Sequence, residues 1–258
     1  MKKVGDFDVK ITRKKTDIEA AQKLRFEVFN LEMHKGLQAS YERGLDVDPY
    51  DSACEHLIVR DFKQNRIVGT YRLLLGSRAN PRLGFYSEQE FDLRRIKNLK
   101  GELLELGRSC VHREYRDRAL IEVMWQTIAD YSRRHNVRYL FGCASLPTTE
   151  PREVSGAFAL FKDQYYAAEK CRVYPIPEKS FAALQPNASV RNPRGVLLRL
   201  PSLIKGYLRL GAEVCGPPAL DAEFGTTDFF LLMDVKRLSP EHRHRFGFAR
   251  PKVRHALA

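Results

Sequence analysis

The segment Leu103–Arg116 has the sequence LLELGRSCVHREYR, and it joins an apolar strand pattern to a basic turn. The apolar part, which contains Glu105 and Arg108, predicts a β-strand. The turn opens a predicted helix over 117–134, and the N-terminus of a helix presents free N–H groups and a positive dipole end. Three arginines add charge at this turn: Arg113, Arg116 and Arg118. We therefore predict a site for a phosphate or pyrophosphate group, with a basic helix start that binds no ligand as the alternative.

Glu105 is a charged residue inside an otherwise apolar strand. A buried carboxylate must be paired, or its pKa must rise. A raised pKa would suit a general base that takes a proton from an amine. The alternative is a structural ion pair of Glu105 with Arg108 or Arg72, because such pairs also perturb pKa values.

Strand and helix patterns alternate along the middle of the chain. Apolar residues at helical spacing predict three helices, over 18–32, 117–134 and 154–166. Strand-like runs cover 56–61, 66–75, 103–111, 137–144 and 229–235. This order predicts an α+β fold with a mixed sheet and helices on its faces. We expect a single domain over 1–258 with a core at 18–237.

The composition is typical of a globular protein, with 43% hydrophobic and 29% charged residues. No apolar run reaches the about 18 residues that a transmembrane helix needs. The N-terminus is charged from Lys2 onward, which argues against a signal peptide. We therefore expect a cytoplasmic protein, with peripheral contact at the inner membrane face as an option.

The five cysteines are scattered, and they form no C-x-x-C pair. Neither a disulfide framework nor a metal site is therefore expected. Cys110 lies two residues before His112, but this spacing does not prove the contact with a base that a catalytic thiol needs. We favour a small core residue at this position.

The formal net charge of +12 favours an acidic partner, which is nucleic acid, an anionic membrane or an acidic protein. The sequence contains no zinc finger, RRM-like motif or clear helix-turn-helix, which argues against nucleic acid. The basic, apolar segment 196–212 fits a helix on an anionic membrane surface. A core helix with a cationic exposed side is the alternative, and we favour it.

The segment Arg113–Ala119 resembles the pyrophosphate-binding turn of the GNAT acyltransferases, whose usual pattern is Arg/Gln-x-x-Gly-x-Gly/Ala. Arginines stand here where the glycines are expected. The resemblance implies a GNAT-like acyltransferase fold, and the departure argues against acetyl-CoA as the donor.

A GNAT-like branch, the acyl-homoserine-lactone synthases, takes acyl groups from acyl carrier protein, and its residue pattern is similar to the one found here. The matching residues are Arg25, Phe29, Asp48, Asp51, Arg72, Glu105 and Arg108. The tryptophan often found in the early loop of that branch is missing, which argues against a lactone product.

Longer motifs resemble the ornithine-lipid N-acyltransferases; they lie at 85–92, 105–112, 140–145, 203–212 and 226–230. The resemblance spans residues 18–237. It implies a 3-hydroxyacyl group on acyl carrier protein as donor, the α-amine of ornithine as acceptor, and lyso-ornithine lipid as product. Related members use other amino acids such as glycine. The phosphopantetheine thioester arrives as a substrate, so no bound cofactor is implied. Acyl carrier proteins are strongly acidic, which fits the basic surplus.

Residue roles follow as hypotheses for direct transfer without an acyl-enzyme. Glu105 is the candidate base, and Arg108 completes the catalytic pair. The expected substrate-binding residues are Arg25, Phe29, Asp48, Asp51, Arg72, Ser109, Cys110 and Val111.

Among these, the two aspartates are expected to hold the cationic groups of the amino acid, and Arg72 its carboxylate. The main-chain N–H groups of 109–111 are expected to polarise the thioester carbonyl. The carrier's phosphopantetheine phosphate or its acidic residues would contact Arg113, Arg116 and Arg118.

Three alternative functions stay open. They are acyl-homoserine-lactone synthesis, acetyl transfer from acetyl-CoA, and a non-enzymatic basic module that binds nucleic acid or membrane with strong salt dependence.

Overall fold

Nine strands form one sheet within the residues that the computed structural model describes, which are 2–36, 38–116, 118–190 and 192–248. The strands are β1 Lys2–Val4, β2 Phe7–Thr12, β3 Glu55–Asp61, β4 Arg66–Leu75, β5 Glu102–Val111, β6 Val137–Leu146, β7 Glu213–Val214, β8 Ala219–Asp221 and β9 Thr226–Asp234. Their order across the sheet is β1-β2-β3-β4-β5-β6-β9-β7, and β8 also pairs with β9. Strands β5 and β6 run parallel, and the other pairs are antiparallel.

The parallel pair separates part-way along its length. Pairing between β5 and β6 extends from Glu102 and Val137 to Glu105 and Phe141, where it ends. The next residue on β6 is Gly142, and a Cβ there would lie 2.2 Å from the carbonyl oxygen of Leu106. Only glycine therefore allows this close approach at the point of separation. Beyond it, the two strands form the walls of a cleft.

Helices cover both faces of the sheet. The α-helices are α1 Lys15–Arg25, α2 Ala39–Arg43, α3 Arg94–Lys97, α4 Arg118–Arg134, α5 Pro151–Gln164, α6 Pro193–Arg199, α7 Ser202–Arg209 and α8 Pro240–Arg245. A π-helix, Phe26–Glu32, continues α1. Short 3₁₀ helices lie at Pro49–Ser52, Gly76–Arg78, Tyr86–Gln89, Arg113–Tyr115, Glu169–Cys171, Pro177–Lys179 and Val235–Arg237. Among the described residues, no helix is both long and apolar enough to cross a bilayer.

Side chains of β5 alternate between the two faces, as the pleat requires. Leu104 and Leu106 join the core that α4, α5 and α7 cover. Leu103 faces the opposite core, beneath the segment 85–99. Glu105 points to that same side, where its carboxylate meets the 3₁₀ helix Tyr86–Gln89. The pleat thus places a carboxylate against this short helix at the bottom of the cleft.

The α+β fold predicted from the sequence is confirmed, with shifts at element ends. The helix expected at 154–166 is α5, which starts earlier because Pro151 suits a first helical turn. The helix expected at 18–32 is confirmed, as α-helix up to Arg25 and as π-helix from Phe26 to Glu32. π-Helical turns are rare and often mark functional sites. The extent of the single domain stays a prediction.

Candidate active site

A cavity of about 660 Å³ fills the cleft where β5 and β6 separate. The π-helix, α4 and α7 contribute apolar side chains to its lining, which include Val28, Phe29, Ile121, Met124, Trp125, Ile204 and Tyr207. The charged and polar lining includes Arg72, Ser87, Glu105, Arg108, Asp221 and Asp228. A mainly apolar pocket with a few convergent polar groups suits a substrate that joins a hydrocarbon chain to a polar reacting end.

Glu105 is 5% exposed, and both of its carboxylate oxygens accept hydrogen bonds from one short helix. Oε1 accepts from the backbone N–H of Ser87 at 2.8 Å and from the Ser87 hydroxyl at 2.6 Å. Oε2 accepts from the backbone N–H of Tyr86 at 2.9 Å. Among the described residues, Glu105 forms no direct ion pair, so the pairing with Arg72 or Arg108 that the sequence left open does not form.

The pKa of Glu105 is raised because the carboxyl is buried, although the Ser87 and Tyr86 hydrogen bonds and the charge of Arg72 act against that rise. A carboxylate with a raised pKa is a stronger base than an exposed one. Oε2, which accepts one hydrogen bond from the protein, has lone-pair capacity left. Glu105 can therefore accept a proton from a group bound in the cavity.

Arg72 and Arg108 lie side by side on the cavity wall. Both guanidinium groups sit over the Tyr86 ring, with centroid distances of 5.3 and 5.5 Å. Asp48 binds Nη1 of Arg72 and accepts from Nε of Arg108 at 3.2 Å. Within the described part of the chain, no hydrogen bond uses Nε and Nη2 of Arg72 or the two Nη atoms of Arg108. These N–H groups are available to an anionic group in the cavity.

Asp48 binds Arg72 and Arg108 with one carboxylate oxygen and caps a short helix with the other. Its Oδ1 accepts from the backbone N–H of Tyr50 at 2.8 Å and so caps the 3₁₀ helix Pro49–Ser52. Burial alone would raise the pKa of Asp48, but the charge and hydrogen bond of Arg72 hold it below its ordinary value. Asp48 is therefore an ionised scaffold of the site.

Arg25 and Asp51 lie behind the cavity and do not line it. Arg25 has no exposed surface, and it binds Asp51 Oδ2 at 2.7 Å, Asp46 Oδ2 at 3.0 Å and the Asp46 carbonyl oxygen. Asp51 also accepts from Gln22 at 2.8 Å. The sequence pointed to Arg25 and Asp51 but missed Asp46, which belongs to the same acidic loop. Phe29, by contrast, lines the cavity.

Arg108 adopts a left-handed backbone conformation, with φ +46°. The β4–β5 register shifts at this point, between Thr70 and Arg72. A β-bulge of this kind redirects side chains, and a non-glycine residue at positive φ carries a conformational cost that often marks a functional site. The bulge brings Arg108 and the following Ser109, Cys110 and Val111 to the cavity wall.

The Cys110 thiol is not activated. Burial raises its pKa to about 12, so the thiol stays protonated at neutral pH. His112 instead uses Nδ1 to accept from the backbone N–H of Glu114 at 3.4 Å. A small buried side chain, as favoured from the sequence, accounts for Cys110.

The arginines after β5 differ in their surroundings. Arg113 is exposed on the 3₁₀ helix Arg113–Tyr115. Arg116 lines the cavity and forms a two-pronged ion pair with Glu32, at 2.7 and 2.8 Å. Arg118 begins α4, and its side chain lies outside the part of the structure that is described.

A buried acidic cluster is the feature that sequence reasoning missed. One carboxylate oxygen from each of Glu90, Asp221 and Asp228 lies within 4.8 Å of the other two. Asp221 and Asp228 line the cavity. Burial and the neighbouring carboxylates raise the pKa of both Glu90 and Asp228. The only hint in the sequence was that Glu90 and Asp228 fall within two of the family-like motifs.

Comparison with known proteins identifies the family. Residues 24–126 match the acetyltransferase (GNAT) domain family. The chain is 37% identical to the L-ornithine N(alpha)-acyltransferase of Brucella abortus (strain 2308), over 95% of this chain and 90% of that protein. The chain belongs to the L-ornithine N(alpha)-acyltransferase family. It is also 34% identical to the L-ornithine N(alpha)-acyltransferase of Rhodobacter capsulatus, over 92% of this chain and 93% of that protein.

Solved structures place this ornithine acyltransferase-family chain in the GNAT-like fold. The AHL synthase LasI superposes with a TM-score of 0.51 at 14% identity, over 93% of this chain and 94% of its own. FeeM, an N-acyl amino acid synthase from uncultured soil microbes, also gives 0.51, at 11% identity, over 95% and 98% of the two chains. At such identities the likeness shows the fold alone.

The protein is an acyltransferase, and the cavity has the parts that acyl transfer to an amine needs. Such a reaction requires a base for the amine, a positive environment for an acceptor carboxylate, and an apolar space for the acyl chain. Glu105, the Arg72 and Arg108 pair, and the lining from α4 and α7 lie around one cavity.

Proposed function

We propose that the protein transfers a long 3-hydroxyacyl group from acyl carrier protein to the α-amine of L-ornithine, which yields lyso-ornithine lipid. The single observation that supports this most strongly is the cavity itself. It joins the buried carboxylate of Glu105 and two arginines to an apolar groove, in a chain whose relatives are L-ornithine N(alpha)-acyltransferases.

The acceptor's carboxylate binds between Arg72 and Arg108. Both arginines line the cavity and keep N–H groups that no described residue occupies, and arginine suits planar recognition of a carboxylate. The roles expected for Asp48 and Asp51 change accordingly. Asp48 orients these two arginines, and Asp51 belongs to the support around Arg25 behind them.

Glu105 acts as the base, directly or through one water molecule. The α-ammonium loses a proton to Oε2, and the free amine attacks the thioester carbonyl to form the new C–N bond. Main-chain N–H groups of 109–111 stabilise the resulting oxyanion. The tetrahedral intermediate then collapses, the C–S bond breaks, and the phosphopantetheine thiolate leaves and takes up the second proton that the attacking nitrogen loses. No acyl-enzyme forms, which agrees with the protonated state of Cys110.

The acyl chain occupies the apolar groove between β5, α4 and α7. Trp125 and Ile204, which are nearly fully buried, lie along this groove, and Ile121 and Leu203 are exposed at its lining. Burying a methylene group contributes about 0.8 kcal/mol, so a long chain gains several kcal/mol here. A short acetyl group would leave most of this surface uncovered.

Acyl carrier protein docks at the basic surface next to the cavity. Arg113 is exposed there, Arg116 lines the cavity, and the whole chain carries a net charge of +12. Electrostatic complementarity of this kind speeds the encounter with an acidic carrier.

The product leaves toward an anionic membrane that α6 and α7 contact. Leu198 is 67% exposed and Leu203 is 42% exposed, and basic residues lie among them. These basic residues are Arg199, Lys205 and Arg209. Exposed leucines beside cations suit the interface of an anionic bilayer. We propose that this contact is peripheral and that it lies on the cytoplasmic face of the membrane.

Mass spectrometry of the reaction products tests the proposal. Purified protein is incubated with 3-hydroxypalmitoyl acyl carrier protein and an amino-acid pool, and in parallel with the matching coenzyme A thioester. We expect 3-hydroxyacyl-ornithine, formed faster from the carrier protein. An acylated glycine or lysine would show that the acceptor is that amino acid and not ornithine. A lactone would indicate a homoserine-lactone synthase. The absence of any product from an intact donor would overturn acyl transfer.

A further inference from the structure

The acidic cluster of Glu90, Asp221 and Asp228 carries more negative charge than the surrounding protein balances. The three residues are 3%, 6% and 6% exposed, and they come from three separate segments of the chain. Lys179 is the cation that reaches the cluster, with its Nζ 3.5 Å from Asp221 Oδ1. Burying several carboxylates together requires protonation or a further cation.

One oxygen of the cluster has no partner. Glu90 Oε2 is buried and makes no hydrogen bond among the described residues, although Glu90 also contacts the thiol of Cys143. Asp228 Oδ1, by contrast, accepts from the Thr226 hydroxyl at 3.2 Å. An unsatisfied buried oxygen is costly and indicates that a donor is missing.

The cluster adjoins the proposed base. The Ser87 hydroxyl donates to Glu105 at 2.6 Å, and the Cys143 sulfur lies 3.4 Å from that hydroxyl. Cys143 in turn contacts Glu90, while Asp221 and Asp228 face the cavity. A cation held by the cluster would therefore lie in the same cavity as an amine at Glu105.

We propose that Glu90, Asp221 and Asp228 bind the side-chain ammonium of the acceptor and thereby select ornithine over amino acids that lack this group. The inference rests on the proposed function. Ornithine carries its second amine three methylene groups beyond the α-carbon, and Glu105, Asp221 and Asp228 line one cavity, so a single bound molecule would present its α-amine to Glu105 and its side chain to the cluster. An ammonium has three N–H donors for the three carboxylates. The bound cation supplies the donor that Glu90 Oε2 lacks and favours the ionised carboxylates.

Substrate discrimination tests the proposal. Wild type, Glu90→Gln and Asp228→Asn are compared by kcat/KM for ornithine and for norvaline, which has the same carbon chain without the second amine. We expect each variant to lose about 10- to 100-fold toward ornithine, because a charged hydrogen bond is lost. Activity toward norvaline should stay within about twofold of wild type, since norvaline makes no such bond. The exposed Asp163→Asn on α5 serves as a charge-matched control and should change neither value.

Isothermal titration calorimetry without the acyl donor measures the affinity for the acceptor alone. The variants should bind ornithine no more tightly than norvaline. Equal losses toward both substrates, or an unchanged preference for ornithine, would overturn this inference while leaving ornithine acylation by wild type intact. Wild type that acylates no ornithine would instead overturn the proposed function. Loss of wild-type activity with a chelator, restored by Ca²⁺ or Mn²⁺, would show that the cluster holds a metal and would also contradict the inference.

Discussion

Arg25 illustrates how much a single buried charge in this fold depends on its partners. The side chain has no exposed surface, and Asp46 and Asp51 compensate its charge. We expect Asp51→Asn to lower the free energy of unfolding by about 3 kcal/mol at pH 7, because a buried cation loses a partner charge while asparagine keeps a hydrogen bond. Urea denaturation measures this, with Asp163→Asn as the control that should leave stability unchanged.

The ion pair between Arg25 and Asp51 predicts that the stability of the protein depends on pH. Burial opposes ionisation of Asp51, but the hydrogen bonds and charge of Arg25 hold its folded pKa well below the ordinary value. Its stabilising contribution is therefore fully present above the unfolded pKa of about 3.9 and is lost as the pH falls through the folded pKa. The stability difference between wild type and Asp51→Asn should shrink below about pH 4. A constant difference from pH 7 to pH 2 would contradict the assignment.

Glu105 is the residue on which the chemical step depends. We expect Glu105→Gln to lower kcat by about 10²- to 10⁴-fold, because the amide cannot accept the proton of the amine. The raised pKa of Glu105 also predicts that wild-type kcat falls on the acid side at a pH above that of an ordinary glutamate. The variant should lose this limb of the profile.

Glu102→Gln on the same strand is the matched control for that variant. Glu102 accepts from the backbone N–H of Ser77 at 2.9 Å and does not line the cavity. The kcat of Glu102→Gln and the pH profile of that kcat should match those of wild type. Full turnover by folded Glu105→Gln would rule out the base assignment.

At the scale of elements, the cleft depends on the close approach of β5 and β6 just before they separate. A Cβ at position 142 would lie 2.2 Å from the Leu106 carbonyl oxygen, so Gly142→Ala must push the strands apart. We expect this change to lower the free energy of unfolding by about 1–3 kcal/mol or more.

Gly206→Ala on α7 provides the opposite case. A Cβ there meets nothing within 4 Å, and alanine favours a helix by about 1 kcal/mol over glycine. Thermal unfolding of the two variants should therefore move in opposite directions. Unchanged or raised stability of Gly142→Ala would show that the separation point tolerates a side chain and that its glycine has another role.

The proposed membrane contact through α6 and α7 leads to a prediction that vesicle binding can test. Leu198→Asp should reduce co-sedimentation with anionic vesicles, because it removes an exposed apolar side chain and adds a charge that anionic lipids repel. Leu31, which is 51% exposed on the π-helix, offers a matched control as Leu31→Asp. Equal loss in both variants, or none in either, would contradict a contact through α6 and α7.

For the whole molecule, local patterns predicted the elements better than they predicted contacts between distant segments. The strand Leu103–Val111 and the motif that contains Glu105 and Arg108 were visible because one strand carries them. Arg72 lines the cavity, and Asp48 binds Arg72 and Arg108 without lining the cavity itself; the roles of these residues stay a prediction. The structure places Arg25 and Asp51 behind the cavity, since their full burial was not encoded in any spacing.

The acidic cluster shows why the rest of the site could not be predicted. Glu90, Asp221 and Asp228 are far apart in the chain, and they meet only because β8 and β9 pair at the cavity and the segment 85–99 packs on the sheet. Glu90 and Asp228 fall within two of the family-like motifs, but no spacing in the sequence connects them with each other or with Asp221. Likewise, the positive φ of Arg108 follows from a register shift between two strands that pair across the fold.

The charge of the whole molecule leads to a prediction about the donor. Association of a basic enzyme with an acidic carrier protein is electrostatically steered, so kcat/KM for the acyl carrier protein should fall steeply as salt rises. Arg113→Glu, on the exposed 3₁₀ helix that follows β5, should lower this value by about 10-fold and flatten its salt dependence. Steering acts on encounter rather than on chemistry, so kcat should change little.

Arg152→Glu on α5 makes the same change of charge at another exposed position. If carrier docking is local to the turn after β5, this variant keeps most of its wild-type kcat/KM, because only the net charge and not the docking surface has changed. If both variants lose equally, the long-range field of the protein, rather than a defined surface at Arg113, governs the encounter. Measuring KM for ornithine in the same assays separates these effects from damage to the acceptor site, since neither arginine contacts that site.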